Sequence, residues 1–368
     1  MQKKLIVVAV TGALAAPLAF AQSNVSIYGI ADVGVEWGNS GNGSKFRVQS
    51  GQASGSRLGL KGSEALGAGL TANFILELGV AYDNGQITSH GTNTGAGYSV
   101  GSNQAATTTG TVLFSRQAWA GIAGGFGAVQ IGRQFTPIYK IASKADPAGL
   151  GTVATLNNLW SQGSRADNSI NYTTPTWGGF TLDALYSTGV ENNVNNNLED
   201  AGREWGLNGQ WSNGPLWLGV GYQERNGTSL VVSDVSETKN WLAGVSYDFG
   251  MFKLFGSYNS GKTTTDTPAT TLDARIWAVG ATIKAGPGVV TAVVGDRNDK
   301  LAADADGRLY GVGYNYPLSK RTDVYAFWAT MRNKNSAAFT LSSATTTGLT
   351  PTAGYDPKAL QIGLRHTF

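Results

Sequence analysis

The sequence predicts an all-β fold: a sixteen-stranded antiparallel transmembrane β-barrel with a long third loop folded into the lumen. Three observations predict it. Segments of alternating apolar and polar residues recur from residue 25 to the C-terminus, each about ten residues long, the length of a tilted strand crossing a bilayer. The connections alternate between very short turns and long polar loops, the asymmetry of a barrel with short periplasmic turns and longer outer loops. Charged residues are 14% of the chain against 10% aromatics, with 51 glycines in 368 residues, which suits many strands and tight turns better than a solvated surface.

The N-terminus reads MQKKLIVVAVTGALAAPLAFAQ. Lys3 and Lys4 precede an apolar run from Leu5, and Ala19-Phe20-Ala21 closes it. This is the basic, apolar and A-x-A order of a cleaved export signal. Pro17 breaks the apolar run, which is short for a membrane anchor. Cleavage is expected after Ala21, with residues 22–368 forming a single barrel domain. The formal net charge is +3, and removing the two signal lysines leaves +1. Without a basic tract, this balance gives no nucleic-acid footprint. There is no cysteine, so an exported fold must take its rigidity from another source, such as a closed hydrogen-bonded barrel.

In residues 25–37, Val25, Ile27, Ala31, Val33, Val35 and Trp37 share one parity; Ser26, Tyr28, Asp32 and Glu36 share the other. Period two puts them on opposite faces of a strand. Residues 38–52 read as a polar loop. Leu58 and Leu60 then oppose Arg57 and Lys61, and after a turn at 66–69 Leu70, Ala72, Phe74, Leu76 and Leu78 return against Asn73 and Glu77. This is a hairpin. A polar loop at 83–111 leads to a second hairpin turning at 124–127. From residue 169 the pattern repeats: 169–174 with 180–187, 204–211 with 216–223, 241–249 with 252–258, 276–284 with 289–295, and 309–316 with 323–330. A polar loop at 333–357 precedes the last strand, 359–368.

The outward faces separate membrane from water. Trp241, Ala243, Val245, Tyr247 and Phe249 oppose Gly244, Ser246 and Asp248, and aromatics such as Trp37, Trp211, Tyr222, Tyr258 and Tyr316 fall near strand ends, where interfacial belts place them. A secreted sandwich is the alternative. It would turn a charged face to solvent, whereas here the second face is small, polar and glycine-rich.

Residues 134–165 are the longest connection with an apolar character (Ile138, Ile141, Leu150, Val153, Leu156, Leu159, Trp160). A loop this long and apolar is no hairpin turn and no solvated tail, and a wide barrel offers it room inside. It carries Lys140 and Lys144 but one acid, Asp146. Arg57, Arg116 and Arg165 stand at strand ends near this loop, and parity turns Arg57 away from Leu58 and Leu60, and Arg165 away from Ile170 and Tyr172. Guanidiniums converging in a narrow lumen attract anions. The expected constriction is Arg57, Arg116, Arg165, Lys61, Arg133, Lys140 and Lys144 set against Asp146, in a passive, anion-preferring pore for small hydrophilic solutes.

No catalytic, metal or cofactor site is expected. Gly97-Tyr98-Ser99-Val100-Gly101 matches G-x-S-x-G but lacks the helix that a nucleophile elbow needs. His90 and His366 have no metal-ligand spacing. A substrate-selective channel using Tyr139 and Trp160, a barrel hydrolase using Ser99, and a non-conducting adhesin stand as alternatives.

Together SNVSIYGIADVGVEW, SRLGLKGSEALGAGLTANFILELG, FSRQAWAGIAGGFGAVQIGRQFTPIY, SRADNSINYTTPTWGGFTL, YPLSKRTDVYAFWA and the terminal LQIGLRHTF resemble the general porins of Gram-negative bacteria, in the style of the betaproteobacterial group. The resemblance implies an outer-membrane barrel in contact with lipid, a homotrimer and an inward third loop. It implies that Arg57, Arg116 and Arg165 form the basic wall of the constriction. It also implies that the terminal aromatic Phe368 is read by the barrel-assembly machinery. Gln134-Phe135-Thr136-Pro137 lacks the acid that other general porins keep there, in agreement with an anion preference.

Overall fold

The computed structural model describes residues 24–88, 94–95, 98–99, 113–160, 162–189, 200–227, 236–265, 269–345 and 348–368. Sixteen long antiparallel strands follow one another around a closed ring. The first, Asn24–Asn39, pairs with Arg57–Gly67 and with the last, Lys358–Thr367. Closure leaves no free edge, so the backbone polar groups of the wall are satisfied inside the sheet, as a bilayer requires.

Two stretches differ from the pattern in the sequence. Within the expected loop 38–52, Ser44–Ser50 is a strand paired with Val33 to Asn39 of the first strand. Its alternation, Phe46 and Val48 against Arg47 and Gln49, is too short to stand out. The wall strand it begins is interrupted at 51–56 and resumes at Arg57. Elsewhere strands outrun their apolar bands: Ser236–Asp248 and Phe252–Thr265 remain paired out to Ser236 and Thr265. Hydroxyl contacts such as Thr238 with Thr263 at 2.9 Å suit this polar extension, and backbone pairing needs no apolar face.

Side chains alternate as expected. In Ser236–Asp248, Lys239, Trp241, Ala243, Val245 and Tyr247 are exposed while Thr238, Asn240, Leu242, Gly244 and Ser246 are buried. Val279 at 53% and Ile362 at 52% exposure belong to the same outer apolar band. An outward apolar band of this kind is the wall pattern of outer-membrane-type barrels.

Part of the opposite face is apolar too. Trp217, Leu242, Ile276, Val293, Leu309, Phe327 and Met331 are buried there. They form one cluster with Ile138, Ile141, Leu150, Val153, Leu156, Leu159 and Trp160 of the long loop. The hydrophobic core therefore lies between loop and wall. Burial of the loop's apolar residues, each worth about 1.5–3 kcal/mol, is the main force seating it.

Small residues let the loop approach. A Cβ on Gly311 would stand 2.5 Å from the Ala154 Cβ and 3.0 Å from its Cα. Gly311→Ala is therefore expected to displace the loop at Ala154 and destabilise its seat by about 1–3 kcal/mol. Thermal melting of the folded barrel, with single-channel recording of current noise, checks this.

Candidate functional site

The loop begins with a helix, α1, at Pro137–Ala145. The Thr136 hydroxyl caps it by accepting from the Tyr139 N–H, and Pro137 occupies the first turn, where it forfeits no helical hydrogen bond. Ile138, Ile141, Ala142 and Ala145 recur at helical spacing and form its buried face. That face packs on strands Glu204–Asn213, Leu216–Asn226 and Ser236–Asp248. The helix comes so near that a Cβ on Gly221 would meet the Ile138 Cα at 3.0 Å.

Asp146 ends the helix and ties the following turns together. Its carboxylate is buried and accepts from the backbone N–H of Ala148 (2.9 Å), Leu150 (3.1 Å) and Leu156 (3.1 Å) and from the Thr155 hydroxyl (2.8 Å). Burial pushes its carboxyl up to about 6, opposed by those four donors. Beyond it the loop is bonded to the wall at several strands. The Thr152 N–H donates to the Gln52 carbonyl, the Val153 N–H to Gln361 Oε1, and an Arg297 guanidinium N–H to the Leu159 carbonyl. A second connection lies on the first: Asn158 and Ser342 exchange two hydrogen bonds, and Thr345 binds the backbone of Gly51.

The arginines converge on an acid. Arg116 Nε donates to Glu77 Oε1 at 2.7 Å, and Arg57 reaches Glu77 Oε2 at 3.8 Å, an oxygen that also accepts from the Tyr28 hydroxyl at 2.9 Å. Arg165 is within electrostatic reach of Arg116 and Arg133, and its guanidinium lies 4.6 Å from the Phe135 ring centre, which in turn stacks on Tyr139. Arg133 bonds Asp167 and the Ser115 carbonyl. The structure thus gathers Arg57, Arg116, Arg133 and Arg165.

The other basic residues stand elsewhere. Lys61, one turn-ward along its strand, lies over the Tyr28 ring at 5.2 Å. On α1, Lys140 pairs with Asp183, and Lys144 donates to Gln210 at 2.7 Å, its ammonium lowered by burial and by Lys253. Trp160 is buried in the loop core, whereas Tyr139 is only partly buried. His366 bonds the Thr322 hydroxyl at the final strand. His90, Gly97, Val100 and Gly101 lie outside the described residues.

The sequence reading set Asp146 against the arginines. In the structure its oxygens face into the loop, and the acid beside Arg57 and Arg116 is Glu77. The signal for Glu77 was present: it is the one acid on the polar face of the return strand, and it is directly opposite Gly59, two residues from Arg57. The parity count for Arg165 also needs revision. The register shifts between Ala166 and Ser169, with Asn168 at φ 50°, so counting by twos from Ile170 does not carry through to Arg165.

Comparison with known proteins agrees with this architecture. Residues 6–336 match the model of the Gram-negative porin family. The chain is 29% identical to outer membrane porin protein 32 of Delftia acidovorans, over the full length of both. An anion-selective porin from Comamonas acidovorans superposes with a TM-score of 0.78 at 27% identity, covering 94% of this chain and all of that one. OmpT of Vibrio cholerae, in its trimer form, shares the fold with a TM-score of 0.69 at 15% identity, covering 94% of this chain and 99% of that one. The chain belongs to the Gram-negative porins, and as one of them it is an outer-membrane channel for passive diffusion, with no chemical step.

Proposed function

We propose that this channel prefers anions, and that the loop 136–164 crosses the lumen and sets its width. The observation that carries the reading is the gathering of Arg57, Arg116, Arg133 and Arg165, with Arg57 and Arg116 sharing Glu77 and Arg133 paired with Asp167. Likeness to an anion-selective porin supports it. Small hydrophilic anions are drawn by a field focused between low-dielectric walls, and solutes wider than the gap beside the loop are excluded. Lys61, Lys140 and Lys144 extend the positive lining, and Asp146 serves by holding the loop's shape.

In the same reading, export removes residues 1–21 and leaves 22–368 as one barrel domain. The barrel sits in outer-membrane lipid as a homotrimer. Phe368, whose backbone exchanges hydrogen bonds with Gly29, presents its ring to the assembly machinery. The test is the reversal potential in a planar bilayer under a potassium chloride gradient. A potential of anionic sign is expected. A cationic sign would overturn the anion preference and leave the channel standing. Saturable flux of one solute would favour the selective-channel reading, with the Phe135–Tyr139 stack as its aromatic surface.

A further inference from the structure

A wall strand breaks where it passes the arginine cluster. Val33 of the first strand pairs with Ser50 and Ile30 pairs with Arg57, so Ala31 and Asp32 alone stand opposite the whole of 51–56. Extra residues on one strand bulge out of its ladder. Here the bulge turns into the lumen. The Gln52 carbonyl accepts from the Thr152 N–H at 2.6 Å, and the Gly51 carbonyl from the Thr345 N–H at 3.0 Å. A Cβ on Gly151 would stand 1.9 Å from the Ala53 carbonyl oxygen. The bulge is therefore a seat for the long loop and for the last connection alike. Its far end meets the arginines: Arg57 Nε donates to the Gly55 carbonyl at 2.8 Å, and a Cβ on Gly55 would stand 2.5 Å from Arg116 Nη1.

One side chain holds this bulge. Asp32 is fully buried on the lumen side of its strand. Its Oδ1 accepts from the Gln52 N–H at 3.1 Å and the Tyr325 hydroxyl at 2.6 Å, and its Oδ2 from the N–H groups of Ala53 at 3.1 Å and Ser54 at 2.7 Å. Its backbone carbonyl accepts from the Gly51 N–H at 2.7 Å and the Ser56 hydroxyl at 2.8 Å. Arg365, opposite Asp32 in register, pairs with Asp323 and donates to Ser54 Oγ at 2.9 Å. Among the described residues Asp32 has no ion pair of its own. A lone negative charge beside an anion-preferring lumen opposes the pore's own field. The geometry gives it another use: three successive N–H groups converging on one carboxylate fix a stretch of backbone that has no sheet partner.

We propose that Asp32 is a positioning residue for ion selectivity, holding the bulge at 51–56 and through it the guanidiniums of Arg57 and Arg116. Asp32 forms no ion pair with either guanidinium and acts through Gly55. The inference rests on the arginine cluster as the source of the anion preference.

The test separates position from charge, using the reversal potential of the refolded full barrel under a potassium chloride gradient. Taken alone, removing a carboxylate about 10 Å from the ion's path, at an effective dielectric constant of about 40, would raise anion preference roughly fourfold. Releasing the bulge acts the other way, because each freed guanidinium spends time away from that path. Asp32→Ala is expected to lower the anion-to-cation permeability ratio roughly twofold below wild type, the lost placement outweighing the lost charge. A ratio at or above the wild-type value would overturn the proposal. Should Asp32→Ala form no channels, Tyr325→Phe decides by the same measurement. It removes one of the four donors and no charge; a lowered ratio is expected, and an unchanged one overturns the proposal. Arg116→Ala, measured alongside, separates the two readings. A shift in Arg116→Ala without the expected fall in the Asp32 variant removes the positioning role alone, whereas no shift in either removes the cluster reading and the positioning role with it.

Discussion

Arg116→Ala is expected to move ion preference from anions toward cations by roughly tenfold in permeability ratio. The guanidinium is buried against Glu77, with Nε 2.7 Å from Oε1. Its removal leaves the carboxylate with the longer Arg57 ion pair at 3.8 Å and the Tyr28 hydroxyl at 2.9 Å. The local charge falls by one unit. An ion passing within about 6 Å, at an effective dielectric constant of about 40, feels a change of about 1.4 kcal/mol, or tenfold. Arg165→Ala acts in the same direction, and Glu77→Gln in the opposite one. Breaking a buried pair costs about 3–5 kcal/mol of stability, so the measurement is made on barrels that still conduct. Reversal potentials that do not change in either arginine variant would remove the cluster from the selectivity mechanism.

Asp146→Ala is expected to release the loop and raise single-channel conductance. The substitution orphans three backbone N–H groups and the Thr155 hydroxyl at once. Each buried group left unsatisfied costs about 1–3 kcal/mol, so several kcal/mol of loop anchoring are lost even where water enters. The wall is spared, because its strands pair with one another and not through Asp146. Conductance and protease cleavage within 146–160 measure the effect, and wild-type values for both would refute the anchoring role. The carboxyl also gives the loop a pH dependence. Its folded value of about 6 lies above the ordinary 3.8, so between about 4 and 6 the folded loop holds a proton that the unfolded chain has released. This contribution favours the folded loop at low pH and is lost as pH rises through about 6. Asp146→Asn, which cannot titrate, is expected to flatten the pH dependence of melting in that window.

The outer wall was legible because its exposed apolar face follows a simple rule. Val25, Ile27, Leu218, Val220, Val279 and Ile362 must be apolar at every second position, and the pattern survives reading by eye. The strand Ser44–Ser50 escaped because it has only two apolar positions, Phe46 and Val48. The helix α1 was hidden in a segment recognised by length and apolarity alone, although Thr136, Pro137 and the spacing of Ile138, Ile141 and Ala145 mark its start and its buried face.

The arginines divide along the same line. Arg57 could be placed by parity because its strand is regular through Leu58 and Leu60, whereas Arg165 lies beyond a bulge that resets the count. Glu77 and Asp146 look alike as lone acids in polar surroundings. Local sequence does not say that one meets two guanidiniums 20 and 39 residues away, while the other meets four donors within ten residues of itself.

What the sequence by itself determined is the closed barrel and the family, since period-two patterning and short turns are local properties repeated along the whole chain. What only the tertiary structure decided is which charges share a space. Ring closure and the seating of the loop bring Arg57, Arg116 and Arg165 together and turn Asp146 inward to its own backbone. Such neighbours are set by strand register and loop docking across long separations, and electrostatic energy depends on those distances, not on spacing along the chain.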